Sequence, residues 1–160
     1  MWQSIWNTVL AEFSDIPDAA QITRITVRLL VAALLGGLLG YERELRGKSA
    51  GVRTHMLVAI GAALFVLIPQ LAGATAADLT RVLQGLIAGV GFLGAGAIIS
   101  GTKQVETRGL TTAAGIWVTA AIGIAAGMGR ESTAVLSTLI ALFILSVVPW
   151  FLRAKHDNRE

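Results

Sequence analysis

Residues 82–100 read VLQGLIAGVGFLGAGAIIS, 19 positions without a charge and with five glycines. Inside this run GVGFLG, residues 89–94, has the spacing G-x-G-x-x-G of a dinucleotide-binding turn, and Glu106 follows it. That motif needs a strand before it and a helix opening in water after it. An unbroken apolar run of this length instead meets the requirement for a helix across a bilayer. Its glycines strip one side of that helix, so that another backbone, or an ion beside a locally broken turn, can come close.

The rest of the chain agrees. Of 160 residues, 54% are hydrophobic and 14% charged, where a soluble domain carries about 25% charged residues. Four more apolar segments accompany the first, and the five occupy approximately 25–41, 56–73, 82–100, 110–127 and 134–152. The expected fold is all-α: a polytopic membrane protein of five transmembrane helices with an amphipathic helix before them. Its expected parts are an interfacial helix and turn (1–21), a transmembrane domain (22–152) and a short cytoplasmic tail (153–160). With no cysteine, disulfides, thiolate catalysis and Cys-based metal sites are excluded. The basic residues do not form one stripe, which argues against nucleic acid as a partner.

Trp2, Ile5, Trp6, Val9, Leu10 and Phe13 recur at helical spacing, with Gln3, Asn7 and Glu12 off that face. Two tryptophans on such a face suit a helix lying in the membrane interface; a helix packed on the bundle is the alternative. The first basic residue is Arg24, so the positive region of a signal peptide is missing. Arg43, Arg46, Lys48, Arg53, Lys103, Arg108, Arg153, Lys155 and Arg159 fall on one side of the bilayer. Arg24, Arg28, Arg81 and Arg130 fall on or near the other. The positive-inside rule then places the N-terminus outside and the C-terminus in the cytoplasm.

Small residues mark the expected packing seams: Ala32, Gly36 and Gly40 in the first span, Gly85, Gly89, Gly91, Gly94 and Gly96 in the third, Gly123 and Gly127 in the fourth. The last span, without glycine, is expected to face lipid, with Trp150 and Phe151 at the cytoplasmic interface. A glycine-rich span, a basic loop and a helix opening with GVRTH (51–55) are echoed by a second glycine-rich span, a basic loop and GLTTA (109–113). Such an echo fits a parallel repeat about an axis along the membrane normal, although shared membrane composition also produces it.

Polar residues near the span ends are the candidate site. Glu42, Arg43, Arg53, Thr54 and His55 surround the first basic loop. One reading is a Glu42–Arg53 clamp closing the hairpin; the other is a polar vestibule in which Glu42 attracts a cation and His55 changes charge near neutral pH. At the other end Asp78, Arg81 and Gln84 recur every third residue, either as a cap with an ion pair or as the lining of an outer mouth. Thr111 and Thr112 follow Gly109 as capping residues do, and a capped N-terminus can face an anion or hold Glu42. Arg28, a turn into its span, is expected to snorkel to the headgroups. Glu12, Asp15, Asp18 and Glu131 read as solvated loop acids. No Ser/His/Asp or HExxH arrangement is present, so no enzyme and no cofactor are expected.

Three blocks, GYERELRGKSAGVRTHMLVAIGAALF (40–65), RVLQGLIAGVGFLGAGAII (81–99) and RGLTTAAGIWVTAAIGIAAGMG (108–129), resemble the MgtC/SapB family of bacterial inner-membrane proteins. The resemblance implies a five-span fold in the plasma membrane and a link to growth at low magnesium. Its members have been called magnesium transporters. The namesake's better supported role is regulatory, through inhibition of the rotary ATP synthase and binding of small membrane peptides. Family motifs fall on Glu42, Arg43, Arg53, Thr54, His55, Arg81, Gln84, Gly85, Thr111 and Thr112. Longer members continue into a soluble ACT-type domain, which this sequence is expected to lack.

Two mechanisms follow. In the first, a regulator of magnesium or ion homeostasis docks its small-residue seams on a membrane partner or on a second copy, with a homodimer as the expected assembly. In the second, a cation or small solute passes from Asp78, Arg81 and Gln84 to Glu42 and His55. With Glu42 as the one carboxylate facing the core, an all-protein magnesium cage is not visible. The sparse intramembrane charge favours the first.

Overall fold

The computed structural model describes residues 1–14, 18–99 and 109–157, with side chains to residue 98 in the second stretch and 149 in the third. The expected turn at Asp15 and Pro17, the loop with Lys103, Glu106 and Arg108, the Trp150 and Phe151 side chains and the basic tail lie outside what is described. The described residues form six helices, in order α1 (Trp2–Glu12), α2 (Ala19–Leu45), α3 (Val52–Leu71), α4 (Ala76–Ile99), α5 (Leu110–Gly127) and α6 (Glu131–Asp157). The described residues contain no strand. Helices α2 to α6 are each long and apolar enough to cross a membrane, so the chain is an all-α, multi-pass membrane protein.

Local chemistry sets the helix ends. Asp18 accepts a hydrogen bond from the Gln21 backbone at 2.6 Å and so caps α2. Helices α2, α3 and α5 stop in the same way. Gly47, Gly73 and Gly129 take positive φ, and the next backbone N–H returns to a carbonyl five residues back: Lys48 to Arg43, Ala74 to Pro69 and Arg130 to Ala125. That closure wants a residue in the left-handed region, where glycine carries no steric cost.

Helix α5 is at the centre, packed against α2, α3, α4 and α6. The contacts that decide the arrangement are between backbones. A Cβ at Gly36 would stand 2.7 Å from the His55 carbonyl oxygen, and one at Gly40 would stand 2.6 Å from Val52 Cα. On the same face of α3, Gly123 lies against the Ala59 carbonyl and Gly127 against that of Ala63. Ala32, Ala59, Ala63 and Ala126, all fully buried, complete the seam with Leu35, Leu39 and Ile122. Lipid gives helices little hydrophobic reason to associate, so such close approach supplies the attraction.

The expected seams of α2 and α5 are therefore present, but that of α4 is only partly so. Gly94 meets Ala113, whereas among the described residues Gly85, Gly89, Gly91 and Gly96 have nothing within 4 Å. Helix α4 touches α5 and α3 mainly through Val90 and Gly94, which turns most of its glycine face away from the bundle. Helix α6 faces largely outward, as expected, on a narrow contact with the core. It buries Ala134 and Thr138 and packs Ala141, Leu142 and Leu145 on the core, leaving Leu136, Leu139, Ile140 and Phe143 outward. Helix α1 packs on no other described helix, and its apolar residues are all exposed, as an interfacial helix requires.

The two halves of the echo share one geometry. Gly36 meets His55, and Gly94 meets Ala113; Gly109 lies against Ala97 and Ile98, as Gly51 lies near Gly40. Gly51 and Gly109 are both N-cap residues. Both hairpins thus seat a helix opening on its predecessor at matching positions.

These contacts predict a contrast between two glycine substitutions. Gly123→Val is expected to destabilise the protein by about 1–3 kcal/mol or more through overpacking. Gly89→Ala is expected to be neutral or stabilising by up to about 1 kcal/mol, because alanine is the better helix former. Denaturant unfolding in micelles measures both; equal losses would refute the packing described.

Candidate functional site

The polar residues segregate to the two ends of the bundle. At the end marked by Lys48, α2 finishes and α3 and α5 begin. Glu42 and Arg43 are buried there, with 9% and 3% of their surfaces exposed. They pair with each other, and Arg46 Nε lies 3.1 Å from Glu42 Oε1. That second approach is ionic without hydrogen-bond alignment, so Oε1 has no hydrogen-bond partner among the described residues. Arg46 also donates to the Ser146 carbonyl at 3.3 Å, which ties α2 to α6.

The Glu42–Arg53 clamp does not form. Arg53 and Thr54 are exposed, and among the described residues Arg53 has no ion pair. The reason is helical geometry: residues two apart are about 200° apart around a helix, so an inward His55 turns Arg53 outward. What joins this hairpin is Glu44, a residue the sequence reading passed over. Its Oε2 accepts from the Val52 N–H at 2.9 Å and sits where a side chain on Gly51 would be. A carboxylate there also faces the positive end of α3. The signal was an acid eight residues before a helix that opens on a glycine without a capping side chain.

His55 is completely buried, and its Nδ1 lies 3.0 Å from the Gly51 carbonyl oxygen. Its Nε2 has no partner. His55 and Thr111 line one cavity, while Thr112 is buried beside it in sequence. Neither threonine is the N-cap of α5; Gly109 holds that position at φ +107°, with no side-chain cap. The structure therefore brings Glu42, Arg43, His55, Thr111 and Thr112 to one end, but among the described residues no hydrogen bond or ion pair joins Glu42 to the start of α5.

Asp78, Arg81 and Gln84 do not join them. Thr75 and Asp78 form a reciprocal capping box at the start of α4: the Thr75 backbone donates to Asp78 Oδ2 at 3.2 Å, and the Asp78 backbone to Thr75 Oγ1 at 3.3 Å. Asp78 also pairs with Arg81 at 3.6 Å, with both side chains largely exposed. Gln84 is exposed as well. This is the capping alternative.

Arg28 differs most from expectation. It does not snorkel freely: Nη1 donates to the Gly127 carbonyl at 2.9 Å and to Gln70 Oε1 at 3.2 Å, and Nε lies 3.9 Å from Glu131. One guanidinium thus joins α2 to the ends of α3 and α5 and the start of α6. Gly129 leaves it room, since a side chain there would collide with the guanidinium. Between the two ends, the buried hydroxyls of Thr119 and Thr138 bond back to carbonyls of their own helices. No chain of polar side chains connects the ends among the described residues.

The MgtC family profile matches residues 29–154. The chain belongs to the MgtC family. Among relatives, "Putative magnesium transporter YhiD" of Escherichia coli K12 is 40% identical over 128 residues, covering 76% of this chain and 59% of that protein. SrpB of Synechococcus elongatus is 44% identical over 133 residues, covering 76% of this chain and 73% of SrpB. MgtC of Brucella abortus is 45% identical over 116 residues, covering 72% of this chain and 46% of that protein. The matched region is thus little more than half of the YhiD protein and under half of the Brucella one. No solved structure matches the chain.

The Lys48 end of this MgtC-family bundle predicts which charge matters. Glu42→Gln strands a buried arginine and is expected to cost about 3–5 kcal/mol. Arg53→Ala, on an exposed side chain, is expected to stay within about 0.5 kcal/mol. The unfolding midpoints of the two variants decide between this arrangement and the Glu42–Arg53 clamp.

Proposed function

We propose that this protein is a regulator in the bacterial plasma membrane, linked to magnesium homeostasis, which acts by docking the open glycine face of α4 on a helix of another membrane protein. Its N-terminus is outside and its C-terminus cytoplasmic, as the distribution of basic residues favours. The magnesium link rests on family membership and on the name of the E. coli relative. It assigns no catalysis.

The observation that carries the docking mechanism is the exposure of Gly85, Gly89 and Gly96, which share one face of α4. Each interior helix glycine costs about 1 kcal/mol relative to alanine, and none of the three returns that as close packing among the described residues. A neighbouring transmembrane helix would recover it through backbone approach. Against a conduit stand the self-paired charges at each end and the apolar alanine and glycine seam between them. No group of three or more His, Asp or Glu side chains converges among the described residues.

A helix of the rotary ATP synthase is the proposed partner, by family resemblance; a second copy of this chain is the other occupant that the test can reveal. Co-purification from native membranes should recover ATP synthase subunits with the wild type and lose them at least about 10-fold with Gly89→Leu, a position with free space around it. In sealed liposomes the purified protein should pass no magnesium. Magnesium flux that depends on the purified wild-type protein would establish the transporter reading instead. Outside labelling of Lys48→Cys in intact cells would reverse the orientation.

A further inference from the structure

A cavity of about 340 Å³ lies between α5 and α6 near the Lys48 end. Its wall is apolar, with Leu39, Ala114, Val118, Ile140, Ile144 and Leu145 prominent, and His55, Thr111 and Ser137 are the side chains in it that bear hydrogen-bonding groups. Ile140 and Ile144 are also exposed on the outside of α6. In a bilayer the cavity therefore opens sideways toward acyl chains. An apolar cavity of about 150 Å³ already holds benzene, so this one has room for a chain segment of several carbons.

His55 gives the cavity a chemical preference. The Gly51 carbonyl can only accept a hydrogen bond, so the 3.0 Å contact assigns the proton to Nδ1. A neutral ring of that tautomer presents Nε2 as a bare acceptor, and this atom is the one left without a partner. Gly115 separates it from the cavity: a Cβ built there would stand 3.5 Å from Nε2. The missing side chain keeps a methyl from covering Nε2 on the cavity side; the atom is fully buried, so a ligand hydroxyl reaches it by a shift of the α5–α6 wall. No charged side chain lines the wall, so an ionised head would lose its hydration without gaining a counter-charge.

We propose that this cavity binds an amphiphile whose apolar chain lies between α5 and α6 and whose neutral hydroxyl donates to His55 Nε2. The same chemistry is available from a membrane lipid of the diacylglycerol type and from a free long-chain alcohol. Photo-crosslinkable versions of both, each beside a methyl ether that keeps the chain and loses the donor, test the proposal on the full chain in nanodiscs. A hydroxyl probe is expected to label α5 and α6 around Gly115 and Ile140 about 2- to 10-fold more than its ether, and the probe that does so identifies the source.

Gly115→Ala adds a methyl at ordinary contact distance from Nε2. It should leave the unfolding midpoint nearly unchanged and bring the hydroxyl probe down to the level of its ether. Ile140→Trp, which fills the cavity from α6, should lower labelling by both. His55→Phe keeps a ring without an acceptor and gives the second reading if Gly115→Ala does not fold. Equal labelling by hydroxyl and ether, labelling confined to other helices, or a hydroxyl preference that survives the loss of the acceptor overturns the proposal. A cavity that holds water alone would appear as the first of these results.

Discussion

Contact between glycine on one helix and a backbone carbonyl on the next is the constraint from which the remaining structure follows. Gly36 and Gly40 set α2 against the start of α3, and Gly123 and Gly127 set α5 against its middle and end. With α2 and α5 both seated on one face of α3, its rotation is fixed: His55, Ala59, Ala63 and Val66 point inward, and Arg53, Leu57 and Phe65 point out. The burial of a histidine in a membrane bundle is thus a consequence of where four side chains are missing. In water the same surfaces would be driven together by their apolar area; in lipid the small residues must supply the contact themselves.

The charges complement that arrangement. A seam of alanine and glycine tolerates no ionised group in its middle, so the ionised groups lie at the ends, where each restrains helix termini. Arg28 gathers the ends of three helices around one guanidinium. Glu42, Arg43 and Arg46 form a paired group at the opposite end, and Glu44 caps α3. Charges used in this way tie the ends of the helices together.

The spans were legible because length and apolarity decide them. The five segments match α2 to α6 apart from a few residues at each end, where capping chemistry extends the helices past the apolar core. Glycines 36 and 40 were readable as a seam because they recur every four residues. The same spacing misled at Gly85 and Gly89: it identifies a face on which a helix can approach, without saying whether that helix belongs to the same chain. Side-chain pairing was the least legible part. Glu42 has arginines both near in sequence and across the loop, and the choice depends on the rotation of α3, which no local pattern reveals. Arg28 was misassigned for the same kind of reason, since Gln70, Gly127 and Glu131 are distant in sequence. The unpartnered Nε2 of His55 depends on Gly115, 60 residues away, and became visible only through packing.

The central claim is that the bundle is sealed, with its polar groups committed to the two ends. The absence of native cysteine allows one direct measurement. Thr119 is fully buried within α5, and Thr119→Cys nearly preserves its volume. In right-side-out and inverted vesicles, a water-soluble thiol reagent should leave Cys at this position unmodified from both sides, while Lys48→Cys reacts from one. Modification of the Thr119 position at a rate comparable to that at Lys48 would mean that water reaches the centre of the bundle, and would contradict the account.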